Sequence, residues 1–140
     1  MTPAWAFGLA GLIPFVFLAG IIVAGPVHWY AASQALLTQY GALILSFVGA
    51  LHWAYAVQQG VKGGEAWLRF GYSVLPALVA WLALQFPLGL GMQILAMSLM
   101  ACLVVDLAWL KMTVLPVWFI RLRAILTIGG SASLLMASVF

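Results

Sequence analysis

His52, Asp106, Arg69 and Arg123 are strongly polar side chains set within, or at the ends of, long apolar runs. An imidazole, a carboxylate and two guanidinium groups can form ion pairs, hold an oxyanion or pass a proton. A carboxylate inside an apolar run costs several kcal/mol unless it is paired. At 1.5 Å rise per helical residue, His52 falls roughly 8–9 Å from the end of its run, and Asp106 roughly 6–8 Å from Lys111. Arg69 and Arg123 open their own runs, so the four groups converge on one depth. The expectation is an Asp106–arginine pair, through Arg123 or Arg69, with His52 nearby. One carboxylate against two or three arginines would leave a surplus of positive charge, with room for an anionic guest such as a lipid phosphate. Helical spacing adds neighbours. Arg69, Ser73, Pro76 and Ala80 share one face, and Arg123, Thr127 and Gly130 share another. Ala42, Ser46, Gly49 and Trp53 form a seam of mostly small residues beside His52, the pattern that lets helix backbones approach in lipid. The candidate ligand-binding residues are therefore His52, Trp53, Arg69, Ser73, Asp106, Arg123 and Thr127.

Other chemistries find little support. Haem would need paired axial ligands, but His28 and His52 fall on opposite membrane faces. A zinc site takes three or four clustered ligands, and His52 with Asp106 supplies two. Glu65, in the polar stretch from Gln58 to Glu65 read as a loop, is poorly placed for two-carboxylate catalysis with Asp106. Ser46 and His52 are six positions apart and so about 120° apart on a helix. Ser73 or Thr127 would have to reach His52 from another helix for a nucleophile–base pair. No metal, cofactor or catalytic residue is expected. A purely structural alternative remains, in which Asp106 neutralises an arginine and locks helices together.

These residues must be carried by membrane-crossing helices. Of 140 residues, 67% are hydrophobic and 5% charged, and the mean hydropathy is +1.22. A soluble domain has about 25% charged residues; this chain could not cover a water-facing surface. Five basic residues do not make a stripe for tracking nucleic acid. Cys102 is the single cysteine, so no intrachain disulfide can form. The first apolar run has no basic leader and exceeds the usual 7–15 residues of a signal core, so it reads as a retained span.

A helix needs about 20 apolar residues to cross. Five runs meet that length, at about 4–24, 39–57, 67–86, 90–110 and 121–140. They predict an all-α integral membrane protein, one domain over 1–140, built as a bundle of five transmembrane helices. Pro14 and Pro76 each remove a backbone hydrogen bond. Every Lys and Arg lies in or beside the second and fourth connections: Lys62 and Arg69, then Lys111, Arg121 and Arg123. Basic residues stay inside, which puts the N-terminus inside and the C-terminus outside. A bacterial cytoplasmic (inner) membrane is the expected location.

Several stretches resemble one family: Gly11-Leu12-Ile13-Pro14-Phe15, Leu45-Ser46-Phe47-Val48-Gly49-Ala50-Leu51-His52-Trp53 and Val74-Leu75-Pro76-Ala77-Leu78-Val79-Ala80-Trp81. To these are added the isolated Asp106, Leu115-Pro116-Val117-Trp118-Phe119 and Leu122-Arg123-Ala124-Ile125-Leu126-Thr127. Together they are similar to the transmembrane protein 69-like family, a domain of unknown function in bacteria with eukaryotic relatives. The family often has glycine after His52-Trp53, where this chain has Ala54. The resemblance implies a small multi-spanning protein, marks His52, Trp53, Asp106, Arg123 and Thr127 as pattern positions, and carries no activity. The expected function is a non-enzymatic membrane protein with an inward-facing His/Asp/Arg pocket for a lipid headgroup or small anion, or an accessory subunit of a membrane complex. Its partners would be membrane lipids and a homo-oligomer or larger membrane complex, with no nucleic acid. The alternatives are a small proton-linked transporter and an intramembrane lipid-modifying enzyme.

Overall fold

The computed structural model describes residues 2–109 and 115–140. Among them are six α-helices: α1 (Thr2–Ala10), α2 (Ile13–Ala24), α3 (Tyr30–Gln59), α4 (Gly63–Ala83), α5 (Leu88–Trp109) and α6 (Val117–Ser138). α1 and α2 form one crossing of 23 residues, so five segments are long and apolar enough to span a membrane. Large apolar side chains point outward along every crossing, including Phe7, Phe47, Trp67, Val104 and Ile128. In water such a surface would drive aggregation; in a bilayer it faces lipid.

The first crossing breaks at Gly11-Leu12, just before Pro14 in the first turn of α2. Pro14 has no N–H to give the preceding turn, and the Tyr40 hydroxyl donates to the Gly11 carbonyl at 2.8 Å. Phe15 packs edge-on against the same tyrosine, at 5.0 Å between centroids. The hydrogen bond lost at Pro14 thus accompanies an interruption of the helix at Gly11-Leu12, pinned by α3.

The second crossing is longer than the run at 39–57. Residues 30–40 contain no Gly or Pro and carry good helix formers, so α3 starts at Tyr30 and spans 30 residues. Its length of about 45 Å exceeds the roughly 30 Å hydrocarbon core. The buried Thr38 hydroxyl in its first part donates to the Gln34 carbonyl. The stretch expected to be a loop from Gln58 to Glu65 shrinks to residues 60–62. Gly60 adopts a left-handed φ of 59° and closes α3, and the Val61 N–H returns to the Ala56 carbonyl. Glu65 instead sits in the first turn of α4, where the helix dipole favours a carboxylate. α4 ends at Ala83 rather than 86, α5 begins at Leu88 rather than 90, and α6 starts at Val117 rather than 121, directly after Pro116. The expected end of the fourth run at Leu110, and Lys111, lie outside the described residues.

α3 is the central helix and touches α2, α4, α5 and α6. Its closest approach is to α4. A Cβ on Gly49 would stand 2.7 Å from the Ser73 carbonyl oxygen and 2.9 Å from Pro76 Cγ. Glycine is required there because Pro76 brings a bulky ring to the contact. The fully buried core runs through Leu37, Leu45, Met92, Leu95, Leu99 and Leu134. Ser131 ties α6 to α5 by donating to the Ala96 carbonyl.

Candidate functional site

Polar groups meet where α3, α5 and α6 pack, in the half of the bundle that holds the N-terminus. His52 Nε2 lies 2.8 Å from Asp106 Oδ1. Arg123 Nε donates to Asp106 Oδ2 at 3.1 Å, and Arg123 Nη1 donates to the Thr127 hydroxyl one turn further on. The network His52–Asp106–Arg123–Thr127 thus joins three helices. Its members are 0%, 7%, 9% and 1% exposed, so water screens none of these contacts. With the carboxylate accepting on both oxygens, the imidazole proton belongs on Nε2.

Aromatic rings close around the histidine. Tyr72 of α4 meets it edge-on at 4.7 Å, and Trp109 of α5 lies 5.7 Å from both rings. On the far side of Trp109, Arg69 holds its guanidinium carbon 4.8 Å from that ring and 4.4 Å from Tyr55. Such stacking contributes about 0.5–2 kcal/mol per contact. Arg69 Nε donates to Glu65 one turn earlier, at 3.0 Å.

Three buried polar atoms of this region have no hydrogen-bond partner: His52 Nδ1, Arg69 Nη1 and Arg123 Nη2. Arg123 Nη2 stands 3.1 Å from Asp106 Oδ2, within ion-pair range. Nη2 makes no hydrogen bond there, and Nε carries the directed contact. A guanidinium has five N–H donors, and Arg123 engages two of them.

An apolar cleft of about 350 Å³ reaches this arginine between the first crossing, α3 and α6. Its walls include Phe7, Phe15, Ile44, Trp118 and Leu126, and its charged or hydroxyl-bearing side chains are Arg123 and Thr127.

Four of the seven expected site residues, His52, Asp106, Arg123 and Thr127, therefore form one connected network. Arg69 lies beside it across Trp109. Ser73 turns back on its own helix and donates to the Phe70 carbonyl, and its carbonyl supports the contact with Gly49. Trp53 is half exposed and packs on Phe70 at 4.8 Å, away from the network. The seam it was placed on is turned, so that Ala42, Leu45, Val48, Gly49 and His52 face inward.

The expected surplus of buried positive charge is absent among the described residues. Arg123 is matched by Asp106, and Arg69 by Glu65, which helix α4 carries into reach. Sequence reasoning also missed the aromatic frame. Tyr55, Tyr72 and Trp109 each lie three positions after His52, Arg69 and Asp106 respectively, one helical turn away on the same face. That repeated spacing was the available signal.

The family described as "Protein of unknown function (DUF3429)" matches residues 1–139. A Xenopus tropicalis protein named Transmembrane protein 69 is 39% identical over 134 residues, covering 94% of this chain and 52% of its own length. The Mus musculus protein of the same name is 25% identical over 139 residues, covering 98% of this chain and 56% of its own. The chain thus spans about half the length of the curated relatives it matches. No solved structure matches. With five apolar crossings and a match along nearly its whole length, this multi-pass membrane protein belongs to the DUF3429, transmembrane protein 69-like family.

Proposed function

We propose that this is a non-enzymatic membrane protein whose His52–Asp106–Arg123–Thr127 network offers hydrogen-bond donors to a lipid headgroup, with Arg69 as a second, neighbouring donor. The observation that carries the reading is Arg123: nine-tenths buried, lining an apolar cleft, with its Nη2 group unpartnered. An unmade bond at a buried donor costs about 1–3 kcal/mol, more for a charged group. A bound acceptor removes that cost. Trp53 and Ser73 serve the site from behind, by packing α3 against α4. The proposed orientation, N-terminus inside a bacterial cytoplasmic membrane, rests on the gathering of Lys and Arg at the second and fourth connections.

Native mass spectrometry of gently solubilised protein tests the reading. Wild type is expected to retain a lipid that Arg123→Ala loses. The uncharged pair Asp106→Asn with Arg123→Gln should lose it too, while keeping the fold. The same lipid load in all three proteins refutes the proposal.

A further inference from the structure

The cleft beside Arg123 restricts what the bound molecule can be. We infer that its occupant is a single apolar chain ending in an uncharged carbonyl group, with the carbonyl oxygen accepting from Arg123; this rests on the headgroup reading above and deepens it.

Charge excludes an anionic head. Asp106 matches Arg123, Glu65 matches Arg69, and His52 Nε2 is already turned to Asp106 Oδ1. Lys62 and Arg121 are exposed, away from the buried network. An added carboxylate or phosphate would sit next to the Asp106 carboxylate in a low-dielectric interior, with no unmatched buried cation to receive it among the described residues. Burying an unmatched charge is heavily penalised. What Arg123 lacks is a hydrogen-bond acceptor. Arg123 Nη2 pairs with Asp106 Oδ2 but makes no hydrogen bond among the described residues, and a ketone, ester or quinone carbonyl supplies an acceptor without bringing charge.

Shape limits the remainder of the molecule. The cleft follows the first crossing from Ala4 to Phe15, about 16 Å at helical rise. Its volume of about 350 Å³ is near the lower end of the roughly 300–1,000 Å³ of small-molecule sites, so it takes one chain rather than two. Gly8 and Gly11 form part of the wall on the first crossing. Phe7 and Phe47, both largely uncovered by protein, border the opening toward lipid. The chain therefore enters sideways from the bilayer. Two sources share this chemistry: a prenylated or alkylated quinone, and a single-chain acyl ester.

The purified full chain is incubated in turn with decylubiquinone, monoolein, oleate and inorganic phosphate, and one-to-one adducts are titrated by native mass spectrometry. The two uncharged carbonyl compounds should bind in competition, and the tighter one identifies the source. Oleate should bind at least about tenfold more weakly, and phosphate should not bind. Ile44→Trp and Leu126→Trp fill the cleft from half-buried positions that make no contact in the polar network, and each should weaken the carbonyl compounds by about tenfold or more, ~1.4 kcal/mol. Oleate or phosphate binding as tightly as the uncharged compounds overturns the inference and leaves the headgroup reading intact. Wild-type affinity in both tryptophan variants also overturns it, because the chain then lies elsewhere. If no compound binds and Arg123→Ala keeps the wild-type lipid load, both readings fall.

Discussion

Replacing Asp106 with asparagine keeps the shape of the side chain and removes one charge. Arg123, 9% exposed, is then left as a buried cation with no counter-charge, and the His52 N–H faces a weaker acceptor. Two charges about 4 Å apart attract by about 4 kcal/mol at an effective dielectric near 20. Breaking one side of a buried pair typically costs about 3–5 kcal/mol. The two figures agree, so Asp106→Asn should destabilise the protein by about 3–5 kcal/mol. Pairing it with Arg123→Gln should recover more than half of that loss, because no buried charge is then unmatched. The same cycle at Glu65 and Arg69 supplies a contrast: the Glu65 side chain is 55% exposed, and such pairs contribute about 0–1 kcal/mol. The assay is reversible unfolding in mixed micelles, with each variant measured singly and in pairs. A coupling energy between Asp106 and Arg123 no larger than that of the half-exposed Glu65–Arg69 pair would refute the account of the network given above.

Two further outcomes are expected. Gly49→Ala drives a Cβ to 2.7 Å from the Ser73 carbonyl oxygen and should lower stability by about 1–3 kcal/mol, whereas Gly71→Ala, with open space around it, should be neutral or stabilising by up to about 1 kcal/mol; thermal unfolding of both variants decides. In a Cys102→Ala background, a cysteine at Gly64 should react with an impermeant maleimide from the cytoplasmic side and one at Phe140 from the opposite side, and labelling of both from one side would refute the five-crossing topology.

Much of this was legible in the chain itself. Unbroken apolar runs of bilayer length leave the backbone no option but helices, since lipid offers no partner for its N–H and C=O groups. Asp106, about one turn inside its run, had to find an arginine because a carboxylate cannot stay charged and alone there, and the sequence left Arg123 and Arg69 both open as that partner. Helix ends were less legible. The start of α3 at Tyr30 and the short turn at 60–62 depend on which residues extend a helix already anchored by packing, and apolar content does not report that. The partner of Arg69 was hidden for the same reason, since Glu65 lies in a stretch too polar to count as part of a span.

Composition and spacing by themselves determined a five-crossing helical membrane protein with a His–Asp–Arg centre at one depth. Only the tertiary structure decided that the centre is charge-balanced among the described residues, that Trp53 faces away from it, and that a lipid-facing cleft reaches Arg123. Helical periodicity reports which residues share a face on one helix. It carries no information on how neighbouring helices rotate and tilt against one another, and that rotation set which donors found partners and which did not.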